Sequence, residues 1–360
     1  MNAEIFKTHC ETETATLTLP THAEHCITVQ ASGCYEMHRC LRRAAEDCDA
    51  TLLSQFVFAG TEHYEEFKKK AGCPVVWLQG DACTEGMLYS MQAVALSGLN
   101  PQPVSFNGRD MGFTYEDETA HYCRLRGVIP QDLTASRMDQ TRSAFETMDA
   151  ALKLNGFKFT DTVRTWIYLD QLLEWYDEFN VVRTQYFNET GVFEHRVPVS
   201  TGIGARNQFG AAIMMDVLAI RPKDDRLVIQ EIISPLQNPA LDYKSSFSRA
   251  IEMVYPSHKS VLISGTASID SNGATVHLDD PSRQIHLTME VVGAILESRG
   301  MGWDDLFRGI AYFKDIAYLP LYEQIAAKLG IANFPLAISH ADVCRDDLLF
   351  EIEVDAVKIL

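Results

Sequence analysis

The strongest constraint on the fold of this chain is an internal repeat that aligns without a gap. One segment begins at Gln140 and reads QTRSAFETMDAALKLNGFKFTDTVRTWIYLD. The other begins at Gln284 and reads QIHLTMEVVGAILESRGMGWDDLFRGIAYFK. Position 140 aligns with position 284, and at the same offset Gly156 aligns with Gly300. The repeat predicts that one supersecondary unit occurs twice in the chain.

Both copies have the same order of predicted elements. Each opens with an amphipathic helix, shown in the second copy by Met289, Val292 and Ile295 at helical spacing. The helix ends at a Gly, the residue favoured just past a helix end. A strand, a second helix and a strand led by Pro198 or Pro335 follow, and an extended stretch precedes each unit. Strands interrupted by two helices predict an α+β fold, a duplicated unit of mixed β-sheets with helices packed on one face.

The repeat also predicts two domains. The polar segment RPKDDR (residues 221–226) separates the copies, so we expect an N-terminal domain over residues 1–222 and a C-terminal domain over residues 223–360. The first hundred residues contain FVFAGTEHYEEF and CPVVWLQGD, which we interpret as strands. We expect this divergent N-terminal extension to enlarge the first sheet.

Composition narrows the classes of function. The formal net charge is −18, and a field of that sign repels phosphate backbones, so nucleic-acid binding is disfavoured. No apolar run approaches the roughly 20 residues that a membrane span needs. The chain begins without a signal-peptide pattern, and its nine cysteines lack CxxC spacing. Together these features predict a cytoplasmic protein with reduced thiols and no membrane partner.

The closing strand carries three acids on one face. In FEIEVDA, which begins at Phe350, the acids Glu351, Glu353 and Asp355 alternate with apolar residues. Aligning the closing strands of the two copies at Ala219 and Ala356 places Met214 opposite Glu351, so only the second copy has an acid there. A solvated face would tolerate acids in both copies. The asymmetry therefore favours a single acid-bearing site per chain.

The repeat unit resembles the Rid (YjgF-like) family in SGTASID, in the helix that starts with Gln and ends at Gly, and in the closing FEIEVDAV. The chain is also similar to the chorismatases, which are Rid-like proteins of similar length. The matching stretches, in chain order, are RTWIY, FNVVRTQYF, PVSTGIG, SFSRA, SGTASI and DVCRDDLLFEIE. Two features depart from the chorismatase pattern. They are Ile167, where Asn is usual, and the linker over residues 234–246.

The resemblance implies hydrolysis of chorismate, or of a similar enolpyruvyl or cyclohexadiene carboxylate, without a cofactor. The products would be pyruvate and either a hydroxybenzoate or a dihydroxycyclohexadienoate. Glu351 would be the general acid, and Cys344 stands where the 3-hydroxybenzoate-forming subtype has a cysteine. The predicted substrate-binding residues are Arg164, Tyr168, Arg183, Arg249, Ser264, Thr266, Ala267 and Arg345. The resemblance also implies a homo-oligomer, with a trimer expected by family analogy.

Each of these residues also has a structural interpretation. A carboxylate could be solvated, an arginine could form an ion pair, Tyr168 could pack on a helix, and the serines and Thr266 could cap a turn. Two other functions therefore stay open: a Rid-type deaminase or hydrolase acting on another small substrate, and a non-catalytic Rid-like protein that binds a metabolite. Rid imine hydrolysis uses an Arg two residues after the Pro that opens the closing segment. Here Ala337 stands at that distance from Pro335.

A cluster of soft ligands lies near the N-terminus, in HAEHCITVQASGCYEMHRC. Its candidate ligands are His22, His25, Cys26, Cys34, His38 and Cys40. Imidazole and thiolate groups at this density could bind zinc, but their spacing fits no zinc motif. We therefore predict that no metal is bound.

Overall fold

A computed structural model describes residues 10–31, 33–80, 88–243 and 245–360. Within these residues the chain contains a unit of two strands, a helix, a strand, a helix and two strands. The unit occurs in residues 11–97 (unit 1), in residues 102–222 with one additional strand (unit 2) and in residues 228–359 with one additional strand (unit 3). Units 2 and 3 contain the copies predicted from the repeat.

Unit 1 consists of β1 (Glu11–Thr18), β2 (Ala23–Gln30), α1 (Cys34–Asp47), β3 (Thr51–Ala59), α2 (Tyr64–Ala71), β4 (Val75–Gly80) and β5 (Leu88–Ser97). Unit 2 consists of β6 (Gln102–Phe106), β7 (Arg109–Glu116), β8 (Ala120–Val128), α3 (Arg137–Leu154), β9 (Thr162–Leu169), α4 (Tyr176–Thr190), β10 (Val199–Asn207) and β11 (Ile213–Pro222). Unit 3 consists of β12 (Val228–Ile232), β13 (Ala250–Val254), β14 (His258–Ala267), α5 (Pro281–Ser298), β15 (Leu306–Phe313), α6 (Leu319–Lys328), β16 (Leu336–His340) and β17 (Phe350–Ile359).

The strand order is the same in the three units. It is β1-β2-β5-β3-β4 in unit 1, β7-β8-β11-β9-β10 in unit 2 and β13-β14-β17-β15-β16 in unit 3. Antiparallel pairing of β4 with β10 joins units 1 and 2 into one eleven-stranded sheet, whereas unit 3 forms a six-stranded sheet with β12 at its edge. The last strand of the first sheet in chain order ends at Pro222, and the first strand of the second sheet begins at Val228. The division into two domains stays a prediction.

Each unit covers one face of its sheet with its own helices. Separate apolar cores lie between α1, α2 and unit 1, between α3, α4 and unit 2, and between α5, α6 and unit 3. The opposite faces of all three units meet in a shared core, to which Phe58, Tyr168 and Tyr312 contribute. The predicted α+β fold with helices on one face of each sheet is confirmed, and unit 1 adds a third occurrence of its unit.

Strand register relates equivalent positions in the three units. Phe58 pairs with Ser90 between β3 and β5, Tyr168 pairs with Met214 between β9 and β11, and Tyr312 pairs with Glu351 between β15 and β17. The alignment of Met214 with Glu351 made from sequence therefore agrees with the ladders.

The first hundred residues differ from their predicted structure in one stretch. In FVFAGTEHYEEF only the first four residues are strand, at the end of β3, because Tyr64 begins the helix α2. CPVVWLQGD contains β4 as predicted, and its last residue, Asp81, lies outside the described residues. These strands do lie in the same sheet as unit 2, but they form a complete unit of their own.

Candidate active site

A cavity at the contact between units 2 and 3 contains six of the ten predicted site residues. Its walls come from α4, β10, β14 and β17, and from the segments before β13 and before β17. We call it the interface cavity. The lining residues are Tyr176, Arg183, Ser200, Gly202, Ser245, Phe247, Arg249, Gly265, Ala267, Ile269, Cys344, Arg345 and Glu351. Of these, Glu351, Cys344, Arg183, Arg249, Ala267 and Arg345 were predicted from sequence.

The interface cavity opens into a broader groove along α4. Tyr176, Ser245, Cys344 and Arg345 line both spaces, so they surround the passage between them. A small molecule in the groove would therefore reach Glu351 by passing these four residues. The interface cavity has a volume of about 40 Å³, so Glu351 lies at the inner end of a narrow site.

Glu351 is the buried acid of this site. It pairs with Tyr312 on β15 and with Ala267 on β14, and its side chain is only 4% exposed. Burial, together with the negative charge of Glu353 and against the positive charge of Arg249, raises the pKa of Glu351 to about 8. At neutral pH the carboxyl group is therefore protonated and able to donate a proton.

Gly265 leaves the space that the Glu351 carboxyl group occupies. A Cβ atom added at Gly265 would lie 2.0 Å from Oε1 of Glu351 and 3.2 Å from a methyl carbon of Thr201. The nearest atom is the end of a flexible side chain, so an added methyl group would displace the carboxyl group and leave the strand in place.

We expect Gly265→Ala to fold normally but to lose at least tenfold in turnover, because a 1 Å displacement of a reacting group can cost about 100-fold. Turnover and thermal unfolding of the variant would be measured beside Gly293→Ala. At Gly293, on α5 and far from the cavity, the added Cβ would lie 3.0 Å from the Trp303 ring. Normal turnover in Gly265→Ala would contradict the placement of the reacting carboxyl group.

Three arginines give the cavity its positive charge. Arg183 donates from Nη2 to Oδ1 of Asn180 at 2.5 Å, and Arg249 donates from Nε to the carbonyl of Asn238 at 3.2 Å. The Arg183 and Arg249 guanidinium groups lie 5.9 Å and 5.4 Å from the centre of the Phe247 ring. Arg345 donates from Nη1 to the carbonyl of Gly273 at 2.8 Å. The arrangement suits an anionic ligand.

Cys344 and Tyr176 add neutral polar groups to the wall. Burial raises the pKa of the Cys344 thiol to about 12, and the Glu351 charge adds to the shift. Burial also raises the pKa of the Tyr176 hydroxyl. Both groups keep their protons at neutral pH, so Cys344 can donate a weak hydrogen bond but does not act as a thiolate nucleophile.

Four predicted substrate-binding residues are not among those that line the interface cavity, and a substrate-binding role for them stays a prediction. Ser264 donates to the carbonyl of Ser248 at 2.5 Å, and Thr266 donates to the carbonyl of Ser264 at 2.9 Å, so both bond the backbone. Tyr168 lies in the shared core. Arg164 is fully buried and forms ion pairs with acids on β17.

The other two acids of β17 belong to a buried ion network. Glu353 pairs with Arg164 at 3.0 Å and with Arg308, and Asp355 pairs with Arg164 and, at 3.0 Å, with Arg308. Trp166 also donates from Nε1 to Glu353 at 2.8 Å. Burial alone would raise the pKa of Glu353, but the two arginines hold it below its usual range. The acidic face of β17 thus packs against another sheet and is not solvated.

Some lining residues were missed by the sequence analysis. Gly202 and Gly265 lie inside stretches that had been noted, PVSTGIG and SGTASI, and a Gly within a strand can indicate close approach of another group. Phe247 also lies inside a noted stretch, SFSRA, whereas Tyr176 lies in none. An aromatic residue at the start of a helix is equally compatible with core packing.

The His and Cys cluster does not converge on one point. His25 and Cys26 lie on β2, whereas Cys34, His38 and Cys40 lie on α1. No group of three His, Cys, Asp or Glu side chains suited to a metal occurs in the described part of the chain. The absence of metal stays a prediction. The structure pairs Cys10 with Cys40 as a disulfide, which differs from the expectation that the thiols are all reduced.

Comparison with known proteins supports the resemblance drawn from the motifs. No family model matches the chain. A protein named 3-hydroxybenzoate synthase from Streptomyces hygroscopicus is 27% identical over 278 residues, which are 69% of this chain and 77% of that protein. A protein named chorismatase from the same organism is 28% identical over 278 residues, 69% of this chain and 75% of that protein.

A crystal structure of a chorismatase superposes on 97% of this chain and on 98% of its own, with a TM-score of 0.62 and 18% identity. At that identity the match shows the fold. The recognised similarity to the chorismatases is therefore confirmed, and it extends over unit 1, where no motif had indicated it. In the described ranges no helix is long and apolar enough to cross a membrane. Cytoplasmic localisation and self-association stay predictions.

Proposed function

We propose that this chain is an enzyme that cleaves chorismate to pyruvate and 3-hydroxybenzoate without a cofactor, with Glu351 as the general acid. The observation that carries the proposal is a buried carboxyl group, protonated at neutral pH, at the end of a cavity that three arginines line. The names of the two Streptomyces relatives supply the substrate class and the product.

The geometry suits protonation of an enol ether. Chorismate carries an enolpyruvyl group, and the carbon that must receive a proton is its terminal methylene. Proton transfer from the Glu351 carboxyl group to this carbon gives an oxocarbenium ion and leaves Glu351 as a carboxylate, which stabilises the adjacent positive charge. Water then adds to the oxocarbenium carbon and gives its proton to the Glu351 carboxylate. Collapse of the resulting hemiketal breaks its bond to the ether oxygen, which takes up the hemiketal proton and stays on the ring, and this step releases pyruvate and the dihydroxycyclohexadienoate. Loss of the neighbouring ring hydroxyl as water, together with the proton on the ring carbon that carries the former ether oxygen, then gives 3-hydroxybenzoate.

The mass balance distinguishes the two product classes. Pyruvate and 3-hydroxybenzoate together have the composition of chorismate, so that reaction consumes no net water. Pyruvate and a dihydroxycyclohexadienoate contain one additional water molecule, so that reaction is a hydrolysis. Cys344 lines the cavity close to Glu351 and matches the 3-hydroxybenzoate-forming subtype, which favours the first reaction.

The arginines would hold the two carboxylates of the substrate. Arg183 and Arg249 both lie against the Phe247 ring, and Arg345 lies at the passage to the outer groove. Two separate positive centres match a dianion, and each planar guanidinium group can bind a carboxylate through two parallel hydrogen bonds. Tyr176 and Ser200 offer hydroxyl groups to the ring oxygens.

The two alternative functions have less support. For a Rid-type imine hydrolase, the position two residues after Pro335 is Ala337, a fully buried residue of the shared core. It cannot supply the guanidinium group that would anchor an imino acid. A non-catalytic binding protein would have no need for a protonated buried acid, whose burial raises the free energy of the folded state.

Release of pyruvate tests the proposal. Chelator-treated protein should convert chorismate to pyruvate, detected with a lactate-dehydrogenase coupled assay, and chromatography of the same samples should identify 3-hydroxybenzoate. Pyruvate formation no faster than the spontaneous reaction at high enzyme concentration would contradict the proposed function. Binding of chorismate without turnover would favour the metabolite-binding alternative.

A further inference from the structure

A second cleft lies between units 1 and 2, at the position that corresponds to the interface cavity between units 2 and 3. Tyr64 begins α2 and lines this cleft, as Tyr176 begins α4 and lines the interface cavity. Gly127 and Gly265 occupy equivalent positions in units 2 and 3. Gly127 stands immediately before the β8 residue that pairs with Met215, and Gly265 stands immediately before the β14 residue that pairs with Ile352. The second cleft is thus related to the interface cavity by the repeat itself.

The reacting acid has no counterpart in the second cleft. Met214 stands where Glu351 stands in unit 3, and its sulfur would lie 3.9 Å from a Cβ atom added at Gly127. A thioether has no proton to transfer. A ligand held in this cleft would therefore meet no general acid at the equivalent position.

The walls of the second cleft combine positive charge with aromatic rings. Lys68, Arg109 and Arg126 line it together with Tyr64, Phe113 and Phe209. The acid among the lining residues is Asp110, which accepts a hydrogen bond from the Ser105 hydroxyl at 2.5 Å. Lys68 pairs with Glu65, and Arg126 pairs with the buried Asp216 at 3.0 Å. These two charges are already balanced by acids.

Arg109 differs from Lys68 and Arg126 in the groups that it contacts. The Arg109 guanidinium group lies 4.3 Å from the ring centre of Phe209 and donates from Nη2 to the carbonyl of Gly127 at 2.9 Å. The described residues give it no carboxylate partner, and it is half-buried on β7. A guanidinium group stacked on a ring, with donors that no acid engages, is suited to a planar carboxylate. The adjacent aromatic walls are suited to a ring attached to that carboxylate.

We propose that the second cleft binds a small aromatic monocarboxylate through Arg109 and does not convert it. The proposal goes beyond the function proposed for the interface cavity and does not depend on it. The chain would then hold two related sites, one that carries an acid and one that only binds.

Binding of 3-fluorobenzoate, followed by fluorine NMR, tests the second cleft. We expect Arg109→Gln to weaken binding at one site at least tenfold, because it removes the charge that the carboxylate engages, and to leave chorismate turnover unchanged. Arg109→Lys keeps the charge but loses the two-pronged geometry, so it should bind with intermediate affinity. Arg39→Gln, on the exposed face of α1, is the matched control, since the Arg39 side chain is 77% exposed.

A second variant separates the two sites. Arg249→Gln should weaken binding in the interface cavity and leave the component that depends on Arg109 intact. If 3-fluorobenzoate does not bind, or binds equally well to wild type and to folded Arg109→Gln and Arg109→Lys, the second cleft is not a carboxylate site. Because turnover and binding are measured separately, failure of this proposal is distinguishable from failure of the proposed chorismate reaction.

Discussion

Replacing Glu351 by Gln is expected to lower kcat for chorismate by about 10²–10⁴-fold, the usual contribution of general acid–base catalysis. The amide keeps the shape of the carboxyl group but has no proton acidic enough to transfer. The Michaelis constant should change little, because the group acts mainly in the transition state. Steady-state pyruvate release over a range of chorismate concentrations measures both constants.

The pH dependence of the wild type follows from the same group. Glu351 has a pKa of about 8 in the folded protein and donates only while it is protonated. We therefore expect kcat to fall as the pH rises through about 8, and the residual activity of Glu351→Gln should lack this alkaline limb. If the alkaline limb persists unchanged in Glu351→Gln, a group other than Glu351 is responsible for it.

Stability provides an independent measure of the same carboxyl group. In the unfolded chain its pKa is about 4.3, so between that pH and about 8 the folded state binds a proton that the unfolded state has released. The free energy of unfolding of the wild type therefore falls as the pH rises through this window, by at most about 1.4 kcal/mol per unit. Glu351→Gln avoids this loss and should unfold at a higher temperature than the wild type at pH 8.

Two control variants test whether the loss of turnover is specific to the Glu351 carboxyl group. Met214→Leu alters the equivalent residue of unit 2, and Glu252→Gln makes the same isosteric change in a buried acid on β13, outside the cavity lining. Both should keep near-normal turnover. If Glu351→Gln also does so while remaining folded, Glu351 is not the proton donor.

The sequence allowed the fold of units 2 and 3 to be predicted because both retain the gap-free alignment, their glycine helix ends and their leading prolines. It did not reveal unit 1. There Ser90 is the counterpart of Met214 and Glu351, and Phe58 is the counterpart of Tyr168 and Tyr312, so no motif is shared although the strand order is the same. Topology depends on the apolar pattern and on chain connections, and these can persist when individual residues differ.

The site was predictable to the extent that its residues lie in local motifs. Glu351, Cys344 and Arg345 lie within one stretch near the end of the chain, and they do meet in the interface cavity. Arg164 lies in a stretch of equal resemblance but faces the shared core, because its position on β9 directs it toward β17. Strand alternation gives the face of a side chain, but only the packing of sheets determines what that face contacts.

The repeat itself explains the buried ion network. Arg164 and Arg308 occupy the same position in β9 and β15, since they differ by the repeat offset, and both guanidinium groups reach Glu353 and Asp355 on β17. One arginine comes from each of units 2 and 3. The network therefore joins the two units immediately beside the reacting acid.

Glu353→Gln is expected to destabilise the protein by about 3–5 kcal/mol. The substitution leaves the guanidinium groups of Arg164 and Arg308 buried with only Asp355 to balance them, and removing one partner of a buried ion pair has a cost of this order. Denaturant unfolding at pH 7 measures the loss. Asp355→Asn should cost less, because the Asp355 side chain is 15% exposed and water can replace part of the lost interaction.

The same variant changes the acid next to it. The charge on Glu353 contributes to the raised pKa of Glu351, so removing it should lower that pKa and move the alkaline limb of kcat to lower pH. Arg142→Gln is the control, since it breaks only the exposed ion pairs of Arg142 with Glu146 on α3 and with Glu189 on α4. It should change neither the free energy of unfolding nor the alkaline limb of kcat by a measurable amount. If Glu353→Gln is as stable as Arg142→Gln and has the wild-type pH profile, the network neither holds units 2 and 3 together nor sets the proton affinity of Glu351.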